Sequence, residues 1–273
     1  MSDKKIVCWF SAGITSTIAT KVALDQYGKD NVDIIFFETG SHHPDNERYL
    51  KECEEKIFGK KIEIVQNAKY KTVDQVVALG YINSPGGAYC TKLLKKDLRL
   101  KLEKERKWDH QIFGFEYDKK EINRAIRFKE QYPTTNPLFP LIDLKMDKAR
   151  CIEELKKYEV DLPMMYRLGY TNNNCVGCVK GGIGYWNKIR KDFPDVFEQM
   201  AKREREINAT CLLELKDGKK TRLFLDTLDP ERGRMEAPIT SECGVICATE
   251  FTEIEHPMLE SILSGEFSID NIA

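Results

Sequence analysis

Ile6-Val7-Cys8-Trp9-Phe10, then Ser11-Ala12-Gly13-Ile14-Thr15-Ser16, then Thr17-Ile18-Ala19-Thr20-Lys21-Val22-Ala23-Leu24 is the stretch that decides the fold class. It reads as an apolar run of strand length, a turn of small and hydroxyl residues, and the opening of a helix. A helix that begins directly after a buried strand leaves unpaired backbone N–H groups and its positive dipole end at that turn. Ser11, Gly13, Thr15 and Ser16 are therefore candidates to hold a phosphate. The same chemistry also serves ordinary N-capping.

Outward from this unit the alternation continues. Val32-Asp33-Ile34-Ile35-Phe36-Phe37 is a second strand ending at Glu38-Thr39-Gly40, and a helix pattern starts at Pro44. Residues 61–65 read as a third strand, 91–107 as an amphipathic helix and 111–115 as a fourth strand. The βαβα order predicts an α/β fold, a doubly wound, mainly parallel sheet with helices on both faces. Ligands of such sheets sit beyond the carboxyl ends of the strands, where residues 11–16 and Glu38-Thr39-Gly40 both fall. Pro133, Pro137 and Pro140 mark a break, so residues 1–140 are expected to form the nucleotide-binding part. Residues 141–273 are expected to form a helical part with helices near 147–158 and 194–207. Its one hairpin turns at Asp217-Gly218.

With 41% apolar and 32% charged residues the chain has the balance of a water-soluble globular protein, and its net charge of −1 disfavours a bulk electrostatic grip on nucleic acid. No apolar stretch is long enough to span a membrane, and the first residues lead into a strand-like run and not a signal-peptide core, which predicts a cytoplasmic protein. In that compartment its nine cysteines do not read as a disulfide framework. Four of them form Cys175-Val176-Gly177-Cys178 and Cys243-Gly244-Val245-Ile246-Cys247, spacings that suit thiolate chelation of zinc or an iron–sulfur cluster. Buried thiols acting as small hydrophobes are the alternative. The polar run Thr171-Asn172-Asn173-Asn174 before Cys175 and the glycines at 177, 181 and 182 favour chelation. Cys90 opens a basic helix near Lys92 and Lys95, a thiolate-prone position that makes it a further candidate ligand.

The chain resembles the phosphoadenosine phosphosulfate (PAPS) reductase family of the adenine nucleotide α-hydrolase, or PP-loop, superfamily. The resemblance runs from about residue 6 to 247. It rests on the turn at 11–16, Phe36-Phe37-Glu38-Thr39-Gly40, Pro140-Leu141-Ile142-Asp143, the Leu168-Gly169-Tyr170 to Cys178 stretch and Glu242-Cys243-Gly244. Two positions depart from the family pattern: Thr15 stands where an aspartate is usual, and Glu116 where reductases carry an arginine.

The resemblance implies an adenine nucleotide, ATP or PAPS-like, held by Ser11, Gly13, Thr15, Ser16, Glu38, Thr39 and Gly40, with Lys92 and Arg124 supplying positive charge. In the reductase-like form Cys243 attacks the sulfonucleotide sulfur, and a thioredoxin-like dithiol resolves the product. Cys175, Cys178, Cys243, Cys247 and Cys90 then compete as ligands, Cys243 being either a ligand or the nucleophile. The alternative form is an ATP pyrophosphatase, with Mg²⁺ accompanying the nucleotide. It would adenylate a nucleobase, tRNA, DNA or small-molecule acceptor for sulfur or nitrogen insertion. A non-catalytic nucleotide-binding accessory protein is a third reading, and a homo-oligomer is compatible with all three. Lys92 and Lys95 at the helix start could reach a nucleotide phosphate, His42 and His43 could assist proton transfer at the pocket mouth, and Tyr185-Trp186 could stack a base. The bland accounts are a solvated face for the basic residues of 92–107, polar surface for the histidines and core packing for the aromatics.

Overall fold

A computed structural model describes residues 4–84, 87–234 and 255–272. Its centre is a five-stranded, all-parallel sheet. In chain order the strands of the molecule are β1 (Ile6–Phe10), β2 (Val32–Glu38), β3 (Glu63–Gln66), the short pair β4 (Asn83–Ser84) and β5 (Gly87–Ala88), β6 (His110–Ile112), β7 (Pro137–Leu138), β8 (Leu212–Lys216) and β9 (Lys219–Leu223). The sheet runs β3-β2-β1-β6-β7, so the chain winds one way from β1 to β3 and then returns to the other side of β1. That reversal opens a crevice at the carboxyl ends of β1 and β6, the ordinary ligand position of doubly wound sheets.

β1 is apolar at every position because both of its faces are covered. Ile6, Cys8 and Phe10 pack with Ile34 and Phe36 under the helices Ile14–Tyr27 and Lys148–Lys156. Val7 and Trp9 pack with Ile35 and Phe37 against the helices Lys119–Gln131 and Leu259–Ser264 on the other face. A third core joins the short helix Val73–Val77 to the helices Ile183–Asp192 and Pro194–Ile207 and to the β8–β9 hairpin, and Cys175 and Cys178 belong to it. The chain is thus an α/β protein with a parallel central sheet and a largely helical, cysteine-containing C-terminal region.

Several local expectations shift. The fourth strand occupies His110–Ile112, and residues 113–115 leave the ladder. The cause is Gly114, which passes so close to the turn after β1 that a Cβ there would lie 2.7 Å from the Ser16 nitrogen. The helix expected over 91–107 spans 89–105 with a wide i→i+5 turn at Lys92–Lys96. Pro137 belongs to the edge strand β7, where a missing N–H costs no ladder bond. The hairpin turn falls at Asp217-Gly218 as read, both residues having positive φ (51° and 74°).

Candidate functional site

The turn after β1 is braced from within. Ala12 takes a left-handed φ of 58°, and the Ser16 hydroxyl donates to Gly13 O at 2.9 Å while Ser11 N donates to Ser16 Oγ at 3.2 Å. The helix Ile14–Tyr27 begins after Gly13 with no side-chain cap from that residue, and Ile14 N donates to the Tyr166 hydroxyl at 3.4 Å. Thr15 and Ser16 are buried.

At the end of β2, Gly40 has φ +60° and lies directly against the Lys71 carbonyl, leaving no room for a side chain. The chain therefore reverses there and brings His42 back onto the strand end. The His42 Nδ1 lies 3.1 Å from Glu38 Oε1, which also accepts from Gly40 N at 2.5 Å. The Cys175 thiol lies 3.0 Å from the Thr39 hydroxyl and beside the His42 ring. Burial pulls the imidazole pKa down, but the Cys175 sulfur and the Glu38 carboxylate outweigh it and leave His42 at about 9. Burial also raises Glu38, whose hydrogen bonds to His42 and the Gly40 amide win and hold it below the usual carboxylate range.

The loop 171–178 crosses the strand ends and is stitched to them. Asn173 Nδ2 donates to Ala12 O and to Asn46 Oδ1, each at 2.8 Å. Val176 N donates to Ser41 O at 2.8 Å, and Lys148 Nζ reaches Asn172 Oδ1 at 2.8 Å. Lys148 also pairs with Glu116 at 3.6 Å, so the acidic residue in the arginine position is neutralised locally. Tyr185 clamps the cysteine turn, accepting from Cys178 N at 2.8 Å and donating to Cys175 O at 3.2 Å. Tyr185 and Trp186 are core residues, as the bland reading had it. Asn172, Asn173 and Asn174 of the polar run are buried, Asn172 against Lys148 and Asn173 against Ala12 and Asn46.

The predicted site residues thus divide. Ser11, Gly13, Thr15, Ser16, Glu38, Thr39, Gly40, Cys175 and Cys178 gather at one edge of the sheet or in the loop across it. Lys92 turns its ammonium to Asp97 at 2.9 Å. Arg124 stacks over Phe115 with its guanidinium carbon 4.3 Å from the ring centroid, and pairs with Glu121 at 3.1 Å, in the core on the Trp9 face. Cys90 packs against the third core near Cys211, whose thiol is pushed far up by burial first and then by Glu204, Cys178 and Cys90. Among the described residues no three His, Cys, Asp or Glu side chains are arranged to hold a metal ion. Cys243 and Cys247 lie outside the described residues.

His42 and Lys95, each weighed in the sequence against a surface reading, are both buried beside the strand ends. His42 sits in a polar loop, and only the reversal at Gly40 buries it; the glycine after Glu38-Thr39 was the available signal. Lys95 is buried and its charge bears on His42. Compared with known proteins, the chain matches no protein-family model and no curated protein. Among the described residues no helix is long and apolar enough to cross a membrane.

Proposed function

We propose that the chain is an adenine-nucleotide-binding enzyme of sulfur chemistry, reductase-like in its reaction. One observation carries this reading: the loop bearing Cys175 is latched through Asn173 to the Ala12 carbonyl of the phosphate-type turn. A nucleotide whose phosphates meet the amides of residues 11–16 would then present its reactive end beside thiols. Ser11, Gly13, Thr15 and Ser16 supply the phosphate cradle, and Glu38-Thr39-Gly40 borders the nucleotide. Cys243 is the proposed nucleophile: its sulfur bonds to the sulfonate sulfur, the nucleotide leaves with the electron pair, and an external dithiol releases sulfite.

The test is incubation with PAPS, or with adenosine phosphosulfate, followed by mass spectrometry of the Cys243 peptide and a sulfite assay. A sulfonate adduct on Cys243 with stoichiometric sulfite supports the reading, and tight nucleotide binding with neither product removes it. Release of AMP and pyrophosphate from ATP on adding a nucleobase, tRNA or DNA acceptor would replace it with the ATP-cleaving form.

A further inference from the structure

We propose that the cleft between the loop 40–44, the helix Val73–Val77 and the helix Pro194–Ile207 binds an uncharged lactam nucleobase of the guanine or uracil type. Its volume is about 460 Å³, room for a nucleoside. The cleft is built on residues that follow β2 and β3, whereas the crevice beside residues 11–16 lies at β1 and β6, so the two occupy different parts of the sheet edge. Two glycines close its walls. Gly40 turns the chain back after β2, and Gly177, at φ +74°, lets the cysteine turn approach the helix Pro194–Ile207, where a Cβ would lie 2.7 Å from Val196 Cγ1. Phe193, Val196 and Met200 recur at spacings of three and four residues and so face the cleft together, with Val73 and Val176 completing an apolar lining. A flat ring suits such walls. The Phe193 ring, which His43 meets in a T-shaped arrangement at 5.9 Å, is the surface for stacking.

The polar groups of the cleft select the ring. Its charged residues are already paired, Asp74 with Arg203 at 3.0 Å and His42 with Glu38 at 3.1 Å, so the cleft favours a neutral ligand. His43 Nδ1 accepts from Asp45 N at 3.1 Å, which puts the proton of the neutral imidazole on Nε2 and makes that edge a donor. Gln75 Oε1 accepts from Lys71 N at 2.6 Å, which orients the amide and leaves its NH₂ group as a second donor. Gln199, exposed one turn beyond Val196, carries an amide oxygen that can accept from a ring N–H. Two donors and an acceptor match a lactam, in which a carbonyl stands beside a ring N–H. Guanine and uracil have that edge. Adenine and cytosine carry an amino group in place of the carbonyl and would set N–H against N–H.

The inference goes beyond the sulfur-chemistry reading and does not need it. The full chain is titrated by calorimetry with guanosine, uridine, adenosine and cytidine, each in excess AMP to occupy an adenine-nucleotide crevice. A separate AMP titration reports on that crevice, so the two readings can fail independently. Guanosine or uridine is expected to bind with a dissociation constant on the order of 100 µM or tighter, and at least about tenfold more tightly than its amino counterpart. Gln75→Glu keeps an oxygen for Lys71 N but exchanges the donor for a carboxylate, and should weaken binding at least about tenfold. Gln199→Ala should weaken it about fivefold. Both side chains are exposed, so neither substitution opens a core. Three results would each overturn the proposal. These are no saturable heat from either lactam nucleoside up to about 1 mM, amino nucleosides that bind as tightly as the lactams, and an affinity unchanged in both variants, which would put the base elsewhere on the molecule.

Discussion

Cys53 and Cys175 are both buried thiols near a threonine hydroxyl, yet the groups around them differ in charge. Cys53 sits under the helix Ile14–Tyr27 beside Tyr49 and Thr17, neutral groups that cannot offset the loss of water, and its thiol stays protonated. Cys175 sits above the strand ends beside an imidazole that is itself anchored to a carboxylate. The difference teaches that burial alone does not decide a cysteine's chemistry; a fixed charge within reach does.

The largest expected effect comes from the glycine turns beside the two thiols. Gly40→Ala places a methyl group on the Lys71 carbonyl at φ +60° and should cost about 3 kcal/mol in urea unfolding. Gly59→Ala, in the turn after Cys53 at φ +55°, meets only the movable end of Lys29 and should cost about 1 kcal/mol. Equal costs would mean that the strand-end geometry is not specially constrained.

Next is the loop latch. Asn173→Ala removes the bonds to Ala12 O and Asn46 Oδ1 and should destabilise by about 2 kcal/mol. It should also weaken nucleotide binding measured by calorimetry, whereas a loss of stability alone would separate the latch from the turn.

The two layers should also answer to opposite ends of the pH scale. His42 is raised to about 9, so the stability it contributes is complete below its unfolded value near 6.5 and is lost as pH rises through about 9. Asp45, at the start of the helix leading to Cys53, is held at about 2 mainly by its hydrogen bonds to Arg48. Its contribution is complete above an unfolded value near 3.9 and is lost as pH falls through about 2. Urea midpoints across pH should lose the alkaline limb in His42→Gln and the acid limb in Asp45→Asn.

The smallest effect is Tyr49→Phe, which removes the 2.8 Å bond to Thr17 beside Cys53. It should cost about 1 kcal/mol in urea unfolding.

Much of the sheet was legible because β1 and β2 are long apolar runs ending in turn residues, and such runs report burial on both faces. The placement of residues 11–16 and of Glu38-Thr39-Gly40 at the carboxyl ends of these two strands followed from the same logic. The His42 site did not, since a histidine pair in a polar loop reads as surface until the chain reversal at Gly40 is known. Arg124 lies on an amphipathic helix whose pattern fixes a buried face but not that a guanidinium would stack there on Phe115. The pairing of Glu116 with Lys148 joins distant segments, which periodicity cannot register.

The stitches from loop 171–178 to Ala12 and Ser41 run through main-chain carbonyls in the turns that follow the first two strands. Lifting the loop away breaks both bonds at once. The cysteine-bearing core and the parallel sheet are therefore expected to melt together, with Trp186 in the former and Trp9 in the latter reporting one denaturant midpoint.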